Sequence, residues 1–414
     1  MNKLLSKIFI FALIVMFIIG FSNSYFSLNI DNLAYVLALG IDKGDDNNLK
    51  VSFQFSTPVS SSESGSSEPV KTMVNTTSAS SISTAINLMN SYLGKQINLS
   101  HCKVIIFSEE LAYEGISKEI YTLINDTQIR PSANIIVSKC SAKYYIEQTK
   151  PELETLISKY YEIFANSSAY TGYMPDSTIG DFFYSLTCET CEPSAILGGI
   201  QLNNKTVNDT GNEISNNNNV EKDYDIKSNN SSITGMNGSE NIGIAVFKSD
   251  KLVGELNAIE TISYLNTLNK LERFLISVPD PYHTGNYIDI YMSPTNKPKI
   301  EIDTANGSPY IKLKFLFDGR IYSMSQNSKY LSPEVIDTIS QSCNSYLETS
   351  IIEYLYKTSK DFKSDISRLG THALKNFVTL NEYREYNWPE NYKNAFFDVT
   401  VDTTVQSAML ITET

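Results

Sequence analysis

Residues 98–139 restrict the fold most, because a strand, a helix and a second strand follow one another in this segment. The apolar runs at 103–107 and 134–138 are rich in Ile and Val, which is typical of buried strands. Between them, residues 109–125 have a helical pattern with acidic residues in the first turn, where the helix dipole favours negative charge. This order predicts a sheet covered by helices, and the segment contains no catalytic constellation.

The segments before and after this run continue the same pattern. Apolar residues alternate at 32–44 and 49–57, which predicts two strands, and the Asp and Asn residues at 45–48 supply the turn between them. Residues 81–93 predict an amphipathic helix. Further elements are expected as helices at 142–165 and 180–184 and as a strand at 194–202.

The second half of the chain predicts strands, then helices, then a closing strand. The expected elements are a hairpin at 242–256 with a Ser249-Asp250 turn, a helix at 258–268, a loop at 278–286, strands at 288–292, 300–302 and 311–317, a helix from Ser332-Pro333 to about Tyr354, a second helix carrying Phe362, Ile366, Leu369, Ala373 and Phe377, and a strand at 396–405. This order predicts an α+β domain with a mostly antiparallel sheet.

Residues 1–25 predict a signal peptide or a membrane anchor. Lys3 and Lys7 precede an almost wholly apolar stretch at 8–21, which is the layout of a secretory signal. The stretch is shorter than the roughly 20 residues that a helix needs to cross a bilayer comfortably. Either interpretation places the rest of the chain outside the cytoplasm.

Residues 201–241 are rich in Asn, Ser, Asp, Lys and Gly and contain few apolar residues. Such a segment cannot bury enough surface to offset its ordering entropy. We therefore expect a flexible insertion on the surface, without chemistry of its own.

The chain has 414 residues, five cysteines and a net charge of −13. This length suits two or three domains of ordinary size. The acidic balance argues against a nucleic-acid partner, because binding to nucleic acid needs clustered Lys and Arg. An odd, sparse set of cysteines is not a disulfide framework and leaves at least one thiol unpaired within the chain.

Cys188 and Cys191 have the spacing of a redox or metal motif. A zinc site needs four ligands, and the histidines His101, His283 and His372 are isolated in the sequence. A thioredoxin-like site would open a helix, whereas a strand-like segment follows this pair. A local disulfide or two plain thiols are therefore expected, and redox activity or metal binding is the alternative.

Other residues that could suggest chemistry have simpler structural interpretations. These are Asp42-Lys43-Gly44 as a hairpin turn without phosphate-loop spacing, Glu109 and Glu110 as an acidic first helical turn, His101 as a capping or core-edge residue, Asp365 as a residue that orients a helix or caps backbone groups, and Tyr144, Tyr145, Tyr160 and Tyr161 as packing residues. We therefore predict no enzyme, and no catalytic, cofactor-binding or metal-binding residues.

The central run closely resembles the core of the Ger(x)C family of spore germination proteins, the C subunits of spore nutrient germinant receptors. Four further segments resemble this family in the same order. They are Leu-Gly-Ile-Asp-Lys at 39–43, the hairpin at 242–256 with Glu260-Thr261, Lys-Ser-Asp-Ile-Ser-Arg-Leu-Gly at 363–370, and Asn387-Trp388 followed by Phe396-Phe397. The resemblance spans about residues 33–405.

The resemblance implies an α+β fold of three consecutive small domains, each with a mixed or antiparallel sheet covered by helices. The expected divisions are an N-terminal domain at 28–200, a middle portion at 242–285 that is completed by parts of 150–200, and a C-terminal domain at 286–414. The implied partners are two membrane-embedded subunits, A and B, of the same receptor. The implied location is the outer face of the spore inner membrane.

Two departures from the family pattern are visible in the sequence. Residues 20–32 contain no Cys and no Trp, so the usual lipobox cysteine and the Trp-Asp pair after it are missing. The apolar N-terminal segment or the partner subunits would then provide the link to the membrane. Arg368 stands where the family more often has glycine, which would cost little on an exposed helix face.

Two other functions stay open at this point. An exported solute-binding protein would need a deep interdomain pocket lined with convergent polar and aromatic groups. An exported thiol oxidoreductase would use Cys188 and Cys191.

Overall fold

The computed structural model describes residues 6–7, 9–16, 30–56, 72–151, 153–154, 156–200, 238–305, 307–323 and 332–406. Within these residues the chain is an α+β protein with two sheets covered by helices, which confirms the predicted fold class. The predicted insertion at 201–241 lies almost wholly outside the described residues. Of the predicted signal or anchor, the described residues 9–16 are helical with exposed apolar side chains. The anchor itself stays a prediction.

The first sheet has nine strands and is mixed. Its strands are β1 (Leu33–Lys43), β2 (Leu49–Ser56), β3 (Thr72–Ala79), β4 (Gln96–Asn98), β5 (Val104–Ser108), β6 (Asn134–Ser138), β7 (Ser194–Ile200), β8 (Ser239–Lys248) and β9 (Lys251–Leu256). The order across the sheet is β3-β2-β1-β5-β6-β7-β8-β9, and β4 adds to β1. The central strands β1, β5, β6 and β7 are parallel, and the helices between them provide the crossover connections that parallel strands need.

Helices cover both faces of this sheet. They are α1 (Ile82–Leu93), α2 (Glu109–Glu114), α3 (Ser117–Ile124), α4 (Ala142–Gln148), α5 (Ile157–Ile163), α6 (Ser168–Thr171) and α7 (Ile179–Thr187), with a 3₁₀ turn at Phe164–Ser167. Residues of α1, α2, α3 and α7 join one core, and residues of α4 and α5 join another. The parallel strands are apolar on both faces because both faces are buried.

The second sheet has five strands. They are β10 (Phe274–Pro279), β11 (Tyr287–Pro294), β12 (Lys299–Asp303), β13 (Tyr310–Ser323) and β14 (Phe396–Gln406). The long strand β13 pairs antiparallel with β11 and β12 and parallel with β14. Alternate residues on one face are buried, and those on the other face are exposed. Helix α9 (Pro333–Tyr356) packs against β14 and presents Ile339, Cys343, Leu347 and Ile351 to the core.

Strand β8 joins the two sheets because its two faces lie in different cores. Ile244 and Val246 pack in the same core as the second sheet and α9. Ala245 and Phe247 pack in the core of the first sheet. Helix α8 (Ala258–Thr267) follows the hairpin and packs against α9. The alternation of side chains along one strand therefore connects the two halves of the molecule.

The structure differs here from the expectation that each of three domains has its own sheet. Residues 239–256 continue the first sheet, because the backbone of β7 pairs with β8. The predicted domain boundaries stay predictions.

Residues 109–125 form two helices rather than one. The chain turns at Gly115, which has a φ of +117°, and the amide of Ile116 donates a 3.0 Å hydrogen bond to the carbonyl of Asp250. A Cβ atom at position 115 would lie 2.6 Å from the carboxylate of Asp250 in the β8–β9 turn. Glycine at position 115 therefore lets this turn pack closely against the chain between α2 and α3.

Two further differences lie in the second half of the chain. The predicted loop at 278–286 starts later, because Phe274, Ile276 and Val278 alternate into the core as strand β10, with Pro279 at its end on an edge of the sheet. The predicted helix over 362–377 is wrong. A π-type turn (Lys357–Phe362), a tight loop, α10 (Leu369–Ala373) and a 3₁₀ turn (Leu374–Asn376) replace it. Helices α11 (Leu380–Tyr386) and α12 (Trp388–Tyr392) follow.

Candidate functional site at the junction of the sheets

The loop at 363–370 lies at the junction between the two sheets. Lys363 and Arg368 have positive φ angles of 52° and 58°, so the backbone is left-handed at two positions within this loop. The hydroxyl of Ser364 donates a 2.5 Å hydrogen bond to the carbonyl of Phe247 in β8. Ser367 lies 2.5 Å from the hydroxyl of Tyr354 in α9. The loop thus contacts both the first sheet and the long helix of the second.

Asp365 is the centre of this loop. Its carboxylate accepts hydrogen bonds from the amides of Leu369 and Gly370 at 3.0 and 2.7 Å, and from the indole Nε1 of Trp388 at 2.9 Å. Burial raises the pKa of Asp365 to about 6, and these three donors and the nearby Arg368 oppose the shift. The carboxylate caps backbone groups at the start of α10, as one of the sequence interpretations predicted.

A loop closed by a disulfide between Cys188 and Cys191 packs against Asp365. Cys188 and Cys191 are bonded to each other, so of the two states expected from the sequence, a local disulfide or two plain thiols, the disulfide is present. The amide of Glu192 donates to the carbonyl of Asp365 at 3.3 Å, and the hydroxyls of Thr190 and Thr371 lie 2.9 Å apart. The pair follows the end of α7 and precedes β7, whereas a thioredoxin-like pair opens a helix. The bond therefore closes a loop that lies against the second half of the chain.

Charged side chains add to this contact. Arg384 binds the carboxylate of Glu189 through Nε and Nη2, at 3.0 and 2.6 Å. The guanidinium of Arg368 lies over the ring of Tyr184, 5.4 Å from its centre, and donates to the hydroxyl of Ser185 at 3.2 Å. Because the Arg384–Glu189 pair is exposed, it contributes little to stability.

Two glycines in the segments that resemble the family allow close packing at this junction. A Cβ atom at Gly370 would lie within 2.9 Å of Trp388, Tyr383 and the backbone of residue 190. A Cβ atom at Gly254 would lie 2.2 Å from the ring of Phe362. Larger residues at either position would push the two halves of the molecule apart.

A cavity of ≈ 220 Å³ lies between the disulfide loop and the loop at 363–370. Its lining includes Glu192, Ser249, Lys363, Asp365 and Trp388. Burial raises the pKa of Glu192, and this carboxylate accepts a 2.6 Å hydrogen bond from the amide of Ser249. The cavity is smaller than the roughly 300 Å³ at which small-molecule pockets begin.

Asp42 has a structural role in the first sheet. Its carboxylate accepts hydrogen bonds from the amides of Ala142 and Lys143, at 2.6 and 3.0 Å, and so caps the start of α4. Burial is the largest influence on Asp42 and raises its pKa. Lys43 is paired with Glu110 and Glu114 on α2, so the Asp-Lys-Gly stretch is the end of β1 and not a phosphate loop.

The other residues considered from the sequence do not converge. Lys139 is paired with Glu109 and Glu255, and His101 stacks edge-on with Tyr35 at 4.8 Å. Tyr145 and Tyr161 are buried in the core beside α4 and α5. Across the described ranges, no group of three or more His, Cys, Asp or Glu residues could hold a metal ion. In the same part of the chain, none of the helices has the length and apolarity needed to cross a bilayer.

Two family models match this chain. The model described as spore germination protein N-terminal domain covers residues 27–201. The model described as spore germination B3/GerAC like, C-terminal, covers residues 242–409. The chain belongs to the Ger(x)C family of spore germination proteins. The sequence resemblance is therefore confirmed, and membership supports a role in spore germination.

A curated relative and a solved structure agree with this assignment. The spore germination protein KC of Bacillus subtilis (strain 168) is 21% identical over 395 residues, which are 93% of this chain and 92% of the relative. The crystal structure of the GerBC protein matches with a TM-score of 0.52 at 18% identity, over 89% of this chain and 96% of that chain. At this identity the structural match shows the Ger(x)C fold alone.

The structure also gives a reason for the glycine that the family more often has in place of Arg368. From the sequence we considered an exposed helix face for Arg368. In the structure this residue instead has a left-handed backbone. Glycine adopts this conformation without strain, whereas for other residues it costs roughly 1–2 kcal/mol of conformational free energy. The apolar residues at 362–377 have helical spacing, so the sequence pattern predicted a helix instead of a left-handed residue at 368.

Proposed function

We propose that this chain is a non-catalytic subunit of a spore nutrient germinant receptor. It lies at the outer face of the spore inner membrane and assembles with two membrane-embedded subunits. Its apolar N-terminal segment or those subunits hold it at the membrane. The observation that carries this proposal is the match to Ger(x)C family models along residues 27–201 and 242–409.

The arrangement of the two sheets supports a role in assembly and signal coupling. Strand β8 contributes to both cores, and the loop at 363–370 is bonded to β8, α9 and the disulfide loop. A load applied to one sheet is therefore passed to the other through buried contacts rather than through a flexible linker. Two sheets connected in this way suit a subunit whose role is to bind partner subunits and transmit a conformational signal between them.

The side chains that could have carried chemistry support the non-catalytic part of the proposal. Asp42 and Asp365 are bonded to backbone amides, and Cys188 is bonded to Cys191. Each of these groups has a structural partner. Contact with the nutrient at the junction is not proposed, because the junction cavity is smaller than a typical small-molecule pocket.

Deletion of the gene tests the proposal. Spores that lack the protein should lose the response to one nutrient or nutrient mixture and keep a response to a trigger that bypasses nutrients. Restoring the wild-type gene should restore the nutrient response. The tagged protein should also co-purify with two membrane subunits from spore membranes. A normal nutrient response in the deletion strain, or purification without membrane partners, would contradict the proposal.

A further inference from the structure

Within the described residues, strand β3 is the last strand at one end of the first sheet. Its eight residues pair with β2 along their whole length, from Thr72 opposite Ser56 to Ala79 opposite Leu49, without a bulge. Among the strands of the described residues, none pairs with the other side of β3. An unpaired strand presents backbone donors and acceptors to any second strand that can reach them.

A groove runs along this edge between helices on the two faces of the sheet. It has a volume of ≈ 410 Å³. Its lining consists of Val74, Asn75, Thr76, Thr77, Leu88, Met89, Tyr92 and Lys143. Leu88 and Tyr92 on α1 are 48% and 77% exposed, and Met73 on β3 is 41% exposed. The edge is therefore flanked by apolar side chains that solvent does not favour.

Neither charge nor proline protects this edge. Residues 72–94 contain no Asp, Glu, Lys, Arg or Pro, although the whole chain has a net charge of −13. Strands β12 and β14, in contrast, have charged side chains or hydrogen-bonded amides. Edge strand β12 carries Lys299, Glu301 and Asp303, and the amide of Val401 in β14 is bonded to the carboxylate of Glu348 at 2.9 Å. Charges and capped amides are common ways to prevent edge pairing.

We propose that β3 is a self-association edge, at which β3 of a second copy pairs antiparallel about a two-fold axis. A single strand edge is its own complement in this arrangement, as an isologous interface requires. The uncharged face at 72–94 lets two acidic molecules approach without placing like charges opposite each other. Leu88 and Tyr92 of the two copies then cover each other beside a sheet that continues across both.

Lys143 is the charged residue that lines the groove, and it is paired with Glu147 one turn along α4, at 3.8 Å. Because the two side chains carry opposite charges, this pair brings no net charge to the groove.

The first test is the oligomeric state of the full-length protein in detergent, measured by light scattering and by sedimentation. The wild type should form a dimer whose amount rises with concentration. The double variant Leu88→Lys/Tyr92→Lys should weaken this dimer at least roughly tenfold, because it places like charges across the two-fold axis. Both residues are exposed on a helix, so the fold should persist. Val378→Lys, which changes a residue that is 92% exposed in the second half of the chain, is the matched control and should leave the dimer intact.

The second test uses single cysteines placed along the edge. Met73→Cys, Asn75→Cys and Thr77→Cys should give a disulfide-linked dimer on mild oxidation for at least the variant nearest the two-fold axis. Thr400→Cys, on the exposed face of β14, should give no disulfide-linked dimer under the same conditions. A wild type that is monomeric at every concentration would overturn the proposal, as would a dimer that survives Leu88→Lys/Tyr92→Lys. Pairing of β3 with a different protein while the chain stays monomeric would also overturn it.

Discussion

The indole Nε1 of Trp388 donates a 2.9 Å hydrogen bond to the carboxylate of Asp365, and both side chains are buried. The bond joins the loop after α9 to the start of α12. The same carboxylate accepts hydrogen bonds from the amides of Leu369 and Gly370. One side chain of the loop therefore holds the start of α10 and the start of α12 in place. Trp388 is the one tryptophan of the chain, and its fluorescence therefore reports on this junction directly.

Asp365→Asn should destabilise the protein by about 1–3 kcal/mol, because the amide nitrogen of Asn cannot accept the hydrogen bond that one carboxylate oxygen accepts. Unfolding in urea, followed by Trp388 fluorescence at pH 7, measures the change. Asp361→Asn is the matched control, since Asp361 is exposed and lies four residues earlier in the chain. Equal stability of the two variants would show that the buried carboxylate is not needed.

The stability contribution of Asp365 should depend on pH. Its pKa is about 6 in the folded protein, above the ordinary value of 3.8, so between these values the folded state holds a proton that the unfolded state has released. The free energy of unfolding from this group therefore falls as pH rises from about 4 to 6, by on the order of 3 kcal/mol. The stability difference between wild type and Asp365→Asn should shrink over this interval. A difference that grows with pH would mean that burial does not dominate the pKa.

Replacing Arg368 should reverse the usual ranking of alanine and glycine. Because the backbone is left-handed at this position, Arg368→Gly should be more stable than Arg368→Ala by about 1 kcal/mol. The same pair of changes at Ser345, an exposed residue within α9, should favour alanine by roughly 0.5–1 kcal/mol. Denaturant midpoints of the four variants provide the comparison. An alanine preference at both positions would show that residue 368 is not left-handed in solution.

The disulfide should contribute about 2 kcal/mol, since it closes a very short loop. Cys188→Ser/Cys191→Ser should therefore lower the free energy of unfolding by this amount and weaken the packing of Thr190 against Thr371. Mass spectrometry after alkylation of the denatured, unreduced protein should label Cys102, Cys140 and Cys343 alone. Labelling of Cys188 or Cys191 under these conditions would show that the bond does not form.

Several elements were predictable from local patterns. The alternation in β1, β2 and β14 and the buried runs of β5 and β6 identify strands, because side-chain period and burial are set within a few residues. Helix α9 has a serine and a proline at its start and an apolar stripe along one face. These signals depend on neighbours in the sequence and did not need the rest of the fold.

The loop at 363–370 was not predictable in the same way. Phe362, Ile366 and Leu369 have helical spacing, yet Lys363 and Arg368 are left-handed. The competing contacts come from distant segments, since Ser364 binds Phe247 and Asp365 binds Trp388. Tertiary hydrogen bonds to a buried carboxylate outweigh a helical preference of a few tenths of a kcal/mol per residue.

By itself, the sequence determined most of the strands and helices, the α+β class and the resemblance to the Ger(x)C family, because local periodicity and short motifs carry this information. The tertiary structure decided that residues 239–256 complete the first sheet, that β8 serves two cores, and that Asp365 fixes the junction. Each of these depends on contacts between residues far apart in the chain. Local pattern cannot rank such contacts, because their free energy comes from burial and hydrogen bonds that exist only after the chain has folded.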